Sequence, residues 1–370
     1  MKTIVYSIST LRKSGPVIVL YNIVKNLDLT KYKPIIITLS KEPQDTMIKD
    51  FQDLNVKIIQ LNLNRIKGFL FGGFQLKKII QKINPNVIHC NGFRDILLVG
   101  MFLKKYKKIA TIHCDFAVDY VLKYGFFMGK IMFFLQKKAL KNFNVRIAVS
   151  KLLSEILNKK YTKMKFDYVD NGIDIEVFKP IENKTELRNK LNLPIDKKIF
   201  IWCGSFIERK DPLTLINTIK QIKNENLFFV FCGARGSLLE VCKQELIDYR
   251  NILFTGYIDN IKEYLQASDY YIATSLSEGL PNGVLEALSC GLPCILSHIP
   301  QHKYILEDTK DIGLFFETQN IESLQNKINE IFNIDYNLYS KNAVDLIQDN
   351  FSAKVMSEKY QEFYTEILYV

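Results

Sequence analysis

Short apolar runs alternate with longer stretches of helical spacing along most of the chain. In the first half, runs such as Thr3–Ile8 and Pro34–Leu39 predict strands, whereas apolar residues that recur every three or four positions predict helices, as in Phe74–Ile83. Strands that alternate with helices favour a parallel sheet covered on both faces. The further strands predicted here are Val56–Leu61, Asn86–His89, Ile109–His113 and Arg146–Ser150.

The same alternation resumes in the second half, where several predicted strands end at a glycine. Helices are predicted at Pro212–Ile222 and Ile261–Ala267, and a last helix at Ala353–Leu368 carries one apolar stripe. The pattern therefore predicts a second α/β unit followed by a terminal helix. The strands predicted in this half are Lys198–Cys203, Leu227–Cys232, Ile252–Thr255 and Tyr270–Thr274.

Length and local composition divide the chain into domains. A chain of 370 residues is long enough for two domains with separate cores. The segment Phe178–Lys184, with one proline and mixed charge, is the predicted linker. We therefore expect a first domain over residues 1–178, a second over 185–350 and a C-terminal helix over 351–370.

Two glutamates flank the start of a predicted helix within Ser277–Leu288. Glu278 precedes a Gly-Leu-Pro-Asn-Gly turn, and Glu286 lies inside the helix that this turn opens. A helix start presents backbone N–H groups and a partial positive charge that suit a phosphate, and Gly279 and Gly283 let the backbone approach a ligand closely. Because the carboxylates can accept hydrogen bonds from sugar hydroxyls, the arrangement fits a nucleotide sugar. The alternative is an ordinary capped surface helix with two solvated glutamates.

The residues after this helix favour the first interpretation. Gly291 and Pro293 end the helix, and the apolar run that follows predicts a buried strand. A strand, a glycine-bearing loop, a helix and a second strand form a parallel unit whose ligand site lies at the carboxyl ends of the strands.

This segment closely resembles the Glu-x7-Glu signature of retaining glycosyltransferases of family 4. The resemblance implies the GT-B fold, in which two Rossmann-like domains face each other across a cleft and a C-terminal helix returns to pack on the first domain. It also implies that Glu278 contacts the donor sugar and Glu286 the ribose, while backbone amides between them bind the diphosphate. Because Pro281 has no N–H, we favour Asn282 and Gly283 for this role. The full set that would cradle the diphosphate is Gly279, Leu280, Asn282, Gly283 and Val284.

Other segments carry the same resemblance, so that it covers nearly the whole chain. Ala148–Ser150 looks like the family's strand end before a helix, and Val169–Asp174 matches its Asn-Gly-Ile-Asp hinge segment. Gly204–Pro212 matches the loop that supplies cations to the donor phosphates, which makes Arg209 and Lys210 the candidates for stabilising the leaving group. The alternative for these two residues is a solvated loop before a helix.

Further contacts to the donor are implied at turns that contain glycine. Ser205 stands where many relatives carry Arg. Ile258 and Asp259 follow Gly256 in a turn that would cradle the base, and the alternative is a simple strand-helix turn. Gly15 occupies the place of a glycine pair near the donor phosphates, although the proline that follows it departs from the family pattern.

Two histidines in the first half are candidates on the acceptor side. His113 matches a family histidine beside the reacting carbon of the transferred sugar, where a neutral imidazole could donate to sugar hydroxyls and position the acceptor. A single histidine after a strand is otherwise more often structural. His89, at the end of another strand, is a weaker candidate.

The sequence predicts neither a metal nor another cofactor. Metal-dependent sugar transferases hold a divalent ion with paired aspartates, and the chain has no convincing Asp-x-Asp. Cys290, Cys294, His298 and His302 have a spacing that would align four zinc ligands on one continuous helix. Because glycine and proline residues interrupt such a helix, core cysteines and a loop with two histidines are the favoured interpretation. Seven scattered cysteines indicate reduced thiols in a cytoplasm.

Charge is distributed unevenly along the chain. Residues 1–170 hold 30 Lys and Arg against 11 Asp and Glu, a net +19, whereas residues 171–370 have a net −8. A basic half beside an acidic half suggests that one domain faces an anionic membrane surface, a lipid-pyrophosphate acceptor or a nucleic acid. The alternative is a lysine-rich proteome in which charge serves solubility. No nucleic-acid-binding motif appears, and the acidic half opposes nucleic-acid binding.

Two basic-aromatic stretches, residues 65–74 and 123–138, are candidates for shallow binding to an anionic membrane. The alternative for the second is a core helix with snorkelling lysines. The sequence contains no run of about twenty uncharged apolar residues, and its N-terminus is too short and polar for a secretory signal. We therefore expect a cytoplasmic protein, with peripheral binding at the inner face of the cell membrane as one option.

Together these features predict a retaining, metal-independent glycosyltransferase. It would move a sugar from a UDP- or GDP-linked donor to a saccharide or a polyprenyl-diphosphate-linked glycan in cell-surface polysaccharide biosynthesis. Two alternatives stay open. One is a nucleotide-sugar epimerase or a glycan phosphorylase on the same fold, and the other is a basic nucleic-acid-binding protein.

Overall fold

The computed structural model describes residues 1–64, 72–306 and 310–369, so most of the basic-aromatic stretch at 65–74 lies outside the described residues. The chain forms two units, one of Met1–Gly172 with Ala353–Val370 and one of Ile173–Ser352. The boundary between these units falls within the hinge-like segment Val169–Asp174. The physical reason is that Ile173 donates its N–H to the carbonyl of Phe351 and packs into the core of the second unit.

A parallel sheet of seven strands lies at the centre of the first unit. These strands are β1 (Lys2–Ile8), β2 (Tyr32–Thr38), β3 (Lys57–Gln60), β4 (Val87–Cys90), β5 (Lys108–Ile112), β6 (Val145–Ala148) and β7 (Asp167–Tyr168). Their order across the sheet is β3-β2-β1-β4-β5-β6-β7. Strands β1 and β2 are buried on both faces along most of their length, and their middle residues are mainly apolar.

Helices cover both faces of this sheet. They are α1 (Gly15–Lys25), α2 (Ile48–Asp53), α3 (Gly72–Ile83), α4 (Phe93–Phe102), α5 (Phe116–Tyr124), α6 (Phe126–Leu140) and α7 (Lys151–Lys160). Side chains such as Val5 and Ile88 face α3, α4 and α6 in one hydrophobic core, whereas Ile4 and Ile36 face α1 in another. Alternate residues of each strand therefore belong to different cores.

The second unit repeats this design with a parallel sheet of six strands. The strands are β8 (Lys198–Cys203), β9 (Leu227–Cys232), β10 (Ile252–Gly256), β11 (Tyr270–Ala273), β12 (Cys294–Ser297) and β13 (Gly313–Phe316), in the order β10-β9-β8-β11-β12-β13. The helices are α8 (Lys184–Lys190), α9 (Pro212–Gln221), α10 (Leu239–Glu245), α11 (Ile261–Ala267), α12 (Asn282–Ser289), α13 (Pro300–Leu306), α14 (Ile321–Glu330) and α15 (Tyr336–Asn350). The prediction of two parallel-sheet α/β domains is confirmed.

Each sheet reverses its direction of winding at one point. In the first sheet the reversal lies between β1 and β4, and in the second it lies between β8 and β11. Ligands of open parallel sheets bind at the carboxyl ends of the strands on either side of such a reversal. The topology thus marks the turns after β8 and β11 as the place to examine in the second unit.

The last helix, α16 (Ala353–Tyr369), belongs to the first unit, where it packs against α1 and the sheet. Its apolar stripe was visible in the sequence. The prediction that a C-terminal helix returns to the first domain agrees with this packing, which also contains a set of buried polar side chains.

A buried histidine joins the sheet to this last helix. The hydroxyl of Tyr364 lies 2.8 Å from Nδ1 of His89 and donates to the hydroxyl of Tyr6 at 3.1 Å. On the other side of the ring, Nε2 of His89 lies 2.7 Å from the hydroxyl of Thr111, which is 3.0 Å from that of Tyr360. Burial lowers the pKa of His89 to about 3, so the imidazole is neutral. Both ring nitrogens of this weaker acceptor-side candidate are therefore engaged in docking the helix.

Replacing Tyr364 by Phe tests the contribution of this network. The substitution leaves Nδ1 of His89 buried without its partner, and such a loss costs about 1–3 kcal/mol. We expect urea denaturation, monitored by circular dichroism, to show that Tyr364→Phe has a lower free energy of unfolding of the first unit than the wild type. Tyr369→Phe is the matched control, because Tyr369 is 84% exposed on the same helix. Equal stabilities for Tyr364→Phe and the control would contradict the assignment.

Candidate active site

Hydrogen bonds join the two turns that follow β8 and β11. The backbone N–H of Leu276 donates to the carbonyl of Arg209 at 2.8 Å, and the hydroxyl of Thr274 donates to the carbonyl of Lys210 at 2.9 Å. The indole N–H of Trp202, near the end of β8, donates to the same Thr274 hydroxyl at 3.2 Å. Arg209 and Lys210 are thereby held at the carboxyl edge of the sheet, beside the segment that carries Glu278.

The carboxylate of Glu278 lies at the centre of this junction, and its side chain is only 7% exposed. Arg209 donates to it at 2.7 Å, Lys210 at 2.5 Å, and the hydroxyl of Ser275 at 2.7 Å. Burial alone would raise the pKa of Glu278, but the two cations and the hydrogen bonds outweigh it and lower the pKa to about 2. Glu278 is therefore ionised at neutral pH.

The cations predicted to stabilise a leaving group are thus brought to the predicted sugar-binding carboxylate. Arg209 also donates to the carbonyl of Ser277 at 2.7 Å, which ties it to the turn as well as to Glu278. Its side chain is 40% exposed and that of Lys210 is 21% exposed, so both cations remain reachable from solvent. The site can offer two positive charges to an anion and one carboxylate to hydroxyl groups.

Helix α12 begins beside this carboxylate, with Pro281 as its N-cap. The side chains of Leu280 and Val284 are buried in the core of the second unit, and the N–H of Val284 donates to the carbonyl of Pro281 at 3.0 Å. The amide of Val284 is therefore hydrogen-bonded within the first turn of the helix. The contacts of Gly279, Leu280, Asn282, Gly283 and Val284 to a diphosphate stay predictions.

Gly283 faces a buried tyrosine. A Cβ atom at this position would lie 2.7 Å from the hydroxyl oxygen of Tyr271, which is closer than Cβ atoms come to such neighbours. Burial raises the pKa of Tyr271 far above its usual value, and the carboxylates of Glu286 and Glu278 raise it further. Tyr271 thus lies within electrostatic reach of both glutamates of the motif, and packing against its hydroxyl favours glycine at position 283.

The remaining predicted donor contacts lie on other turns of the second unit. Ser205 is exposed in the turn after β8, and Ile258 packs half-buried against the core. Asp259 is exposed and accepts a hydrogen bond of 3.1 Å from the hydroxyl of Tyr257. Gly256 has a φ of +69°, in the left-handed region, so this turn requires glycine for its backbone. The contacts of Ser205, Ile258 and Asp259 to a base or phosphate stay predictions.

The first unit holds the other two predicted site residues. Gly15 is the exposed first residue of α1. His113 follows β5, and burial lowers its pKa to about 4, so the ring is neutral at pH 7. Nε2 of His113 is buried without a hydrogen-bond partner, as are both side-chain polar atoms of Asn91 after β4. Buried polar atoms are normally paired, so these unpaired atoms mark the edge formed by β4 and β5 as a candidate binding surface.

Sequence reasoning missed Ser275 and Tyr271. Ser275 was detectable as a hydroxyl that follows a buried strand three residues before Glu278, the position from which it reaches the carboxylate. Tyr271 gave no signal, because an aromatic residue within a buried strand is indistinguishable from ordinary core. Among the described residues, no group of three or more His, Cys, Asp or Glu side chains has a geometry that could hold a metal.

Two family models match the chain in tandem. The model described as Glycosyltransferase Family 4 matches residues 13–177, and that described as Glycosyl transferases group 1 matches residues 183–347. The chain belongs to glycosyltransferase family 4. As a family 4 glycosyltransferase it is an enzyme that transfers glycosyl groups, and the predicted family is confirmed.

Curated relatives of this chain are also named as glycosyltransferases. It is 31% identical over 215 residues to a UDP-Gal:alpha-D-GlcNAc-diphosphoundecaprenol alpha-1,3-galactosyltransferase of Escherichia coli, a match that spans 55% of each chain. It is 26% identical to the O-antigen biosynthesis glycosyltransferase WclY of Escherichia coli over 98% of both chains. It is 24% identical to an N,N'-diacetylbacillosaminyl-diphospho-undecaprenol alpha-1,3-N-acetylgalactosaminyltransferase of Campylobacter jejuni, over 88% of this chain and 90% of that one.

Solved structures agree on the fold. A sucrose-phosphate synthase from Thermosynechococcus elongatus superposes with a TM-score of 0.82 at 19% identity, covering 99% of both chains. HepE from Anabaena, in complex with UDP and glucose, gives a TM-score of 0.81 at 15% identity, covering 99% of this chain and all of that one. The glycosyltransferase therefore has the GT-B fold that its sequence predicted.

Replacing Gly283 by Ala tests the packing at the start of α12. The new methyl group would meet the Tyr271 hydroxyl, so we expect overpacking that costs about 1–3 kcal/mol and a lower melting temperature. In the double variant Gly283→Ala/Tyr271→Phe the nearest ring atom would be 3.7 Å away, an ordinary contact, and much of the stability should return. Tyr271→Phe alone is the control. A double variant no more stable than Gly283→Ala would contradict this geometry.

Proposed function

We propose that this glycosyltransferase moves a sugar, with retention of configuration, from a UDP- or GDP-linked donor to a polyprenyl-diphosphate-linked glycan in cell-surface polysaccharide biosynthesis. The observation that carries the proposal is the carboxylate of Glu278, held by Arg209 and Lys210 at the start of α12, with Glu286 one to two turns further along the helix. Hydroxyl-binding acids and phosphate-binding cations occur together there, as a nucleotide sugar requires.

The reaction breaks the bond between the sugar's anomeric carbon and the diphosphate oxygen, which leaves with the bonding electrons. An acceptor hydroxyl oxygen forms the new bond to the same carbon from the same face, and its proton passes to the departing diphosphate. The departing diphosphate gains negative charge, which Arg209 and Lys210 would neutralise, and their position beside Glu278 supports this role. Glu278 would accept hydrogen bonds from sugar hydroxyls and Glu286 from the ribose. Because Glu278 is already paired with both cations, an arriving diphosphate has to compete with this carboxylate for them.

The acceptor assignment has separate support. The names of two relatives specify acceptors linked to diphosphoundecaprenol. In the first unit, the neutral His113 has an unpartnered Nε2, and Asn91 has an unpartnered amide, which suit sugar hydroxyls better than an anion. We therefore assign the saccharide end of the acceptor to the carboxyl ends of β4 and β5.

The direct test is transfer itself. The purified protein is incubated with a panel of UDP- and GDP-sugars and a synthetic polyprenyl-diphosphate-linked saccharide. We expect one donor to raise the melting temperature of the protein, because a ligand that binds only the folded state stabilises it. NMR of the product from the same donor should show that the transferred sugar keeps its anomeric configuration. Epimerisation or hydrolysis of every donor without transfer would overturn the proposal.

Replacing Glu286 by Ala supplies the matched residue test. We expect turnover to fall by about 100-fold or more, because the ribose contact positions the donor for reaction, while circular dichroism remains that of the wild type. Glu322→Ala is the control, since Glu322 is an exposed glutamate near the start of another helix of the same unit. Near-full transfer by Glu286→Ala would end the assignment of that residue.

We further propose that an anionic membrane surface is a partner of this enzyme. On α6, Phe127, Ile131 and Phe134 share one helical face and are 84%, 55% and 64% exposed. Lys130 and Lys137 lie over neighbouring phenylalanine rings on the same helix. An exposed apolar face with lysines around it fits shallow insertion among anionic lipids, whereas a core helix would bury that face. Among the described residues, no helix is both long and apolar enough to cross a bilayer.

Vesicle sedimentation checks this partner. Phe127→Ser should lower partitioning onto vesicles containing phosphatidylglycerol by about 10-fold, as expected from the loss of one buried aromatic side chain. Ile247→Ser is the control, because Ile247 is 76% exposed in the second unit. The membrane assignment would be overturned if wild type and Phe127→Ser bound the vesicles equally. It would also be overturned if binding of the wild type did not depend on the fraction of anionic lipid.

A further inference from the structure

A buried histidine lies behind Glu278, outside the residues assigned to donor binding. His302 is fully buried on α13, whereas His298, in the turn before that helix, is exposed. The expectation of a loop with two histidines is wrong for His302, because Pro300 opens the helix and does not interrupt it. His302 is consequently fixed on a regular element directly after β12.

Hydrogen bonds connect this histidine to the carboxylate through two intervening residues, Ser297 and Ser275. Nδ1 of His302 lies 2.8 Å from the carbonyl oxygen of Ser297 and 3.2 Å from its hydroxyl. The Ser297 hydroxyl donates to the carbonyl of Ser275 at 2.6 Å, and the Ser275 hydroxyl donates to Oε1 of Glu278 at 2.7 Å. These hydrogen bonds lead from the end of β12 to the segment after β11 and end at the carboxylate that is predicted to contact the sugar.

The protonation state of His302 follows from its surroundings. Burial lowers the pKa of His302 to about 4, so the ring is neutral at pH 7. The Ser297 carbonyl can only accept, so Nδ1 carries the single ring proton and Nε2 keeps its lone pair. Nε2 is buried and has no hydrogen-bond partner. An aliphatic side chain would avoid this unsatisfied nitrogen, so packing alone does not account for a histidine here.

We propose that His302 is a positioning residue for Glu278. Its Nδ1–H holds the end of β12, so that the Ser297 hydroxyl fixes the Ser275 carbonyl and thereby the Ser275 hydroxyl against the carboxylate. Arg209 and Lys210 have long side chains and can follow a carboxylate that rotates, whereas Ser275 has a short side chain on a fixed backbone. The kinetic readout of this role rests on the proposed function.

Three substitutions separate positioning from packing. Asn at 302 can place an amide N–H near the site of Nδ1, Gln places its amide nearer Nε2, and Leu offers neither. We expect His302→Leu to lower kcat by about 10-fold, a size typical for groups that orient a site residue, with donor KM within about two-fold of wild type. His302→Asn should recover most of kcat and His302→Gln should not. His298→Asn is the control on the exposed neighbour.

A double-variant test compares the loss of kcat in Ser275→Ala, in His302→Leu and in their combination. A purely structural role of His302 would not make the two losses depend on each other. Ser275→Ala already removes the hydrogen bond that connects His302 to Glu278. Adding His302→Leu to Ser275→Ala should therefore lower kcat little further. Three outcomes would each overturn the proposal. The first is a wild-type kcat in His302→Leu, and the second is recovery of kcat in His302→Gln but not in His302→Asn. The third is a loss of kcat in the double variant that equals the product of the two single losses.

A substrate-free measurement keeps this inference distinguishable from the proposed function. Carbon-13 NMR of labelled glutamate follows the pKa of Glu278, whose charged neighbours are Arg209 and Lys210. The Ser275 hydrogen bond helps to lower this pKa, so it should rise in Ser275→Ala and in His302→Leu. If no sugar is transferred from any donor but the pKa of Glu278 rises in these variants, the proposed function fails and the positioning role stands. An unchanged pKa in His302→Leu would overturn the positioning role.

Discussion

The second unit of this glycosyltransferase depends on keeping one buried carboxylate ionised. Glu278 is almost fully removed from water, and burial of an unpaired charge would be prohibitive. Two cations from the turn after β8 and one hydroxyl from the turn after β11 meet this requirement. The two turns must therefore converge, and the hydrogen bonds through Thr274 hold them together. The arrangement that stabilises the carboxylate also concentrates phosphate-binding charge at the start of α12.

The fold places this chemistry where a parallel sheet has room for it. The strands on either side of the winding reversal are buried and mainly apolar over most of their length, and polar residues such as Ser205, Thr274 and Ser275 follow them. In the first sheet, Asn91 and His113 likewise lie just beyond the carboxyl ends of the buried strands β4 and β5. Each unit thus carries a polar edge on a rigid apolar layer, which suits an enzyme that binds two chemically different substrates.

Sequence patterns predicted the motif residues and the strands other than β7 and β13, because these depend on local periodicity and on short spacings. The meeting of Arg209 and Lys210 with Glu278 joins residues far apart in the chain, and resemblance to a family located them but could not reveal their ion pairs. Tyr271 resembles any core residue in a strand. The role of Pro300 was mistaken because proline ends one helix and begins another with equal ease. The pattern also gave no prediction for α14 and α15, whose apolar positions are sparse.

The central claim is that a nucleoside diphosphate binds through its phosphates to Lys210 and Arg209 in competition with Glu278. Isothermal titration of wild type and Lys210→Met with UDP, GDP and the corresponding nucleosides tests it most directly. The account predicts that one diphosphate binds far more tightly than its nucleoside, and that Lys210→Met loses about 10-fold or more of that difference. Equal affinities for nucleoside and diphosphate, or a difference that survives in Lys210→Met, would contradict it.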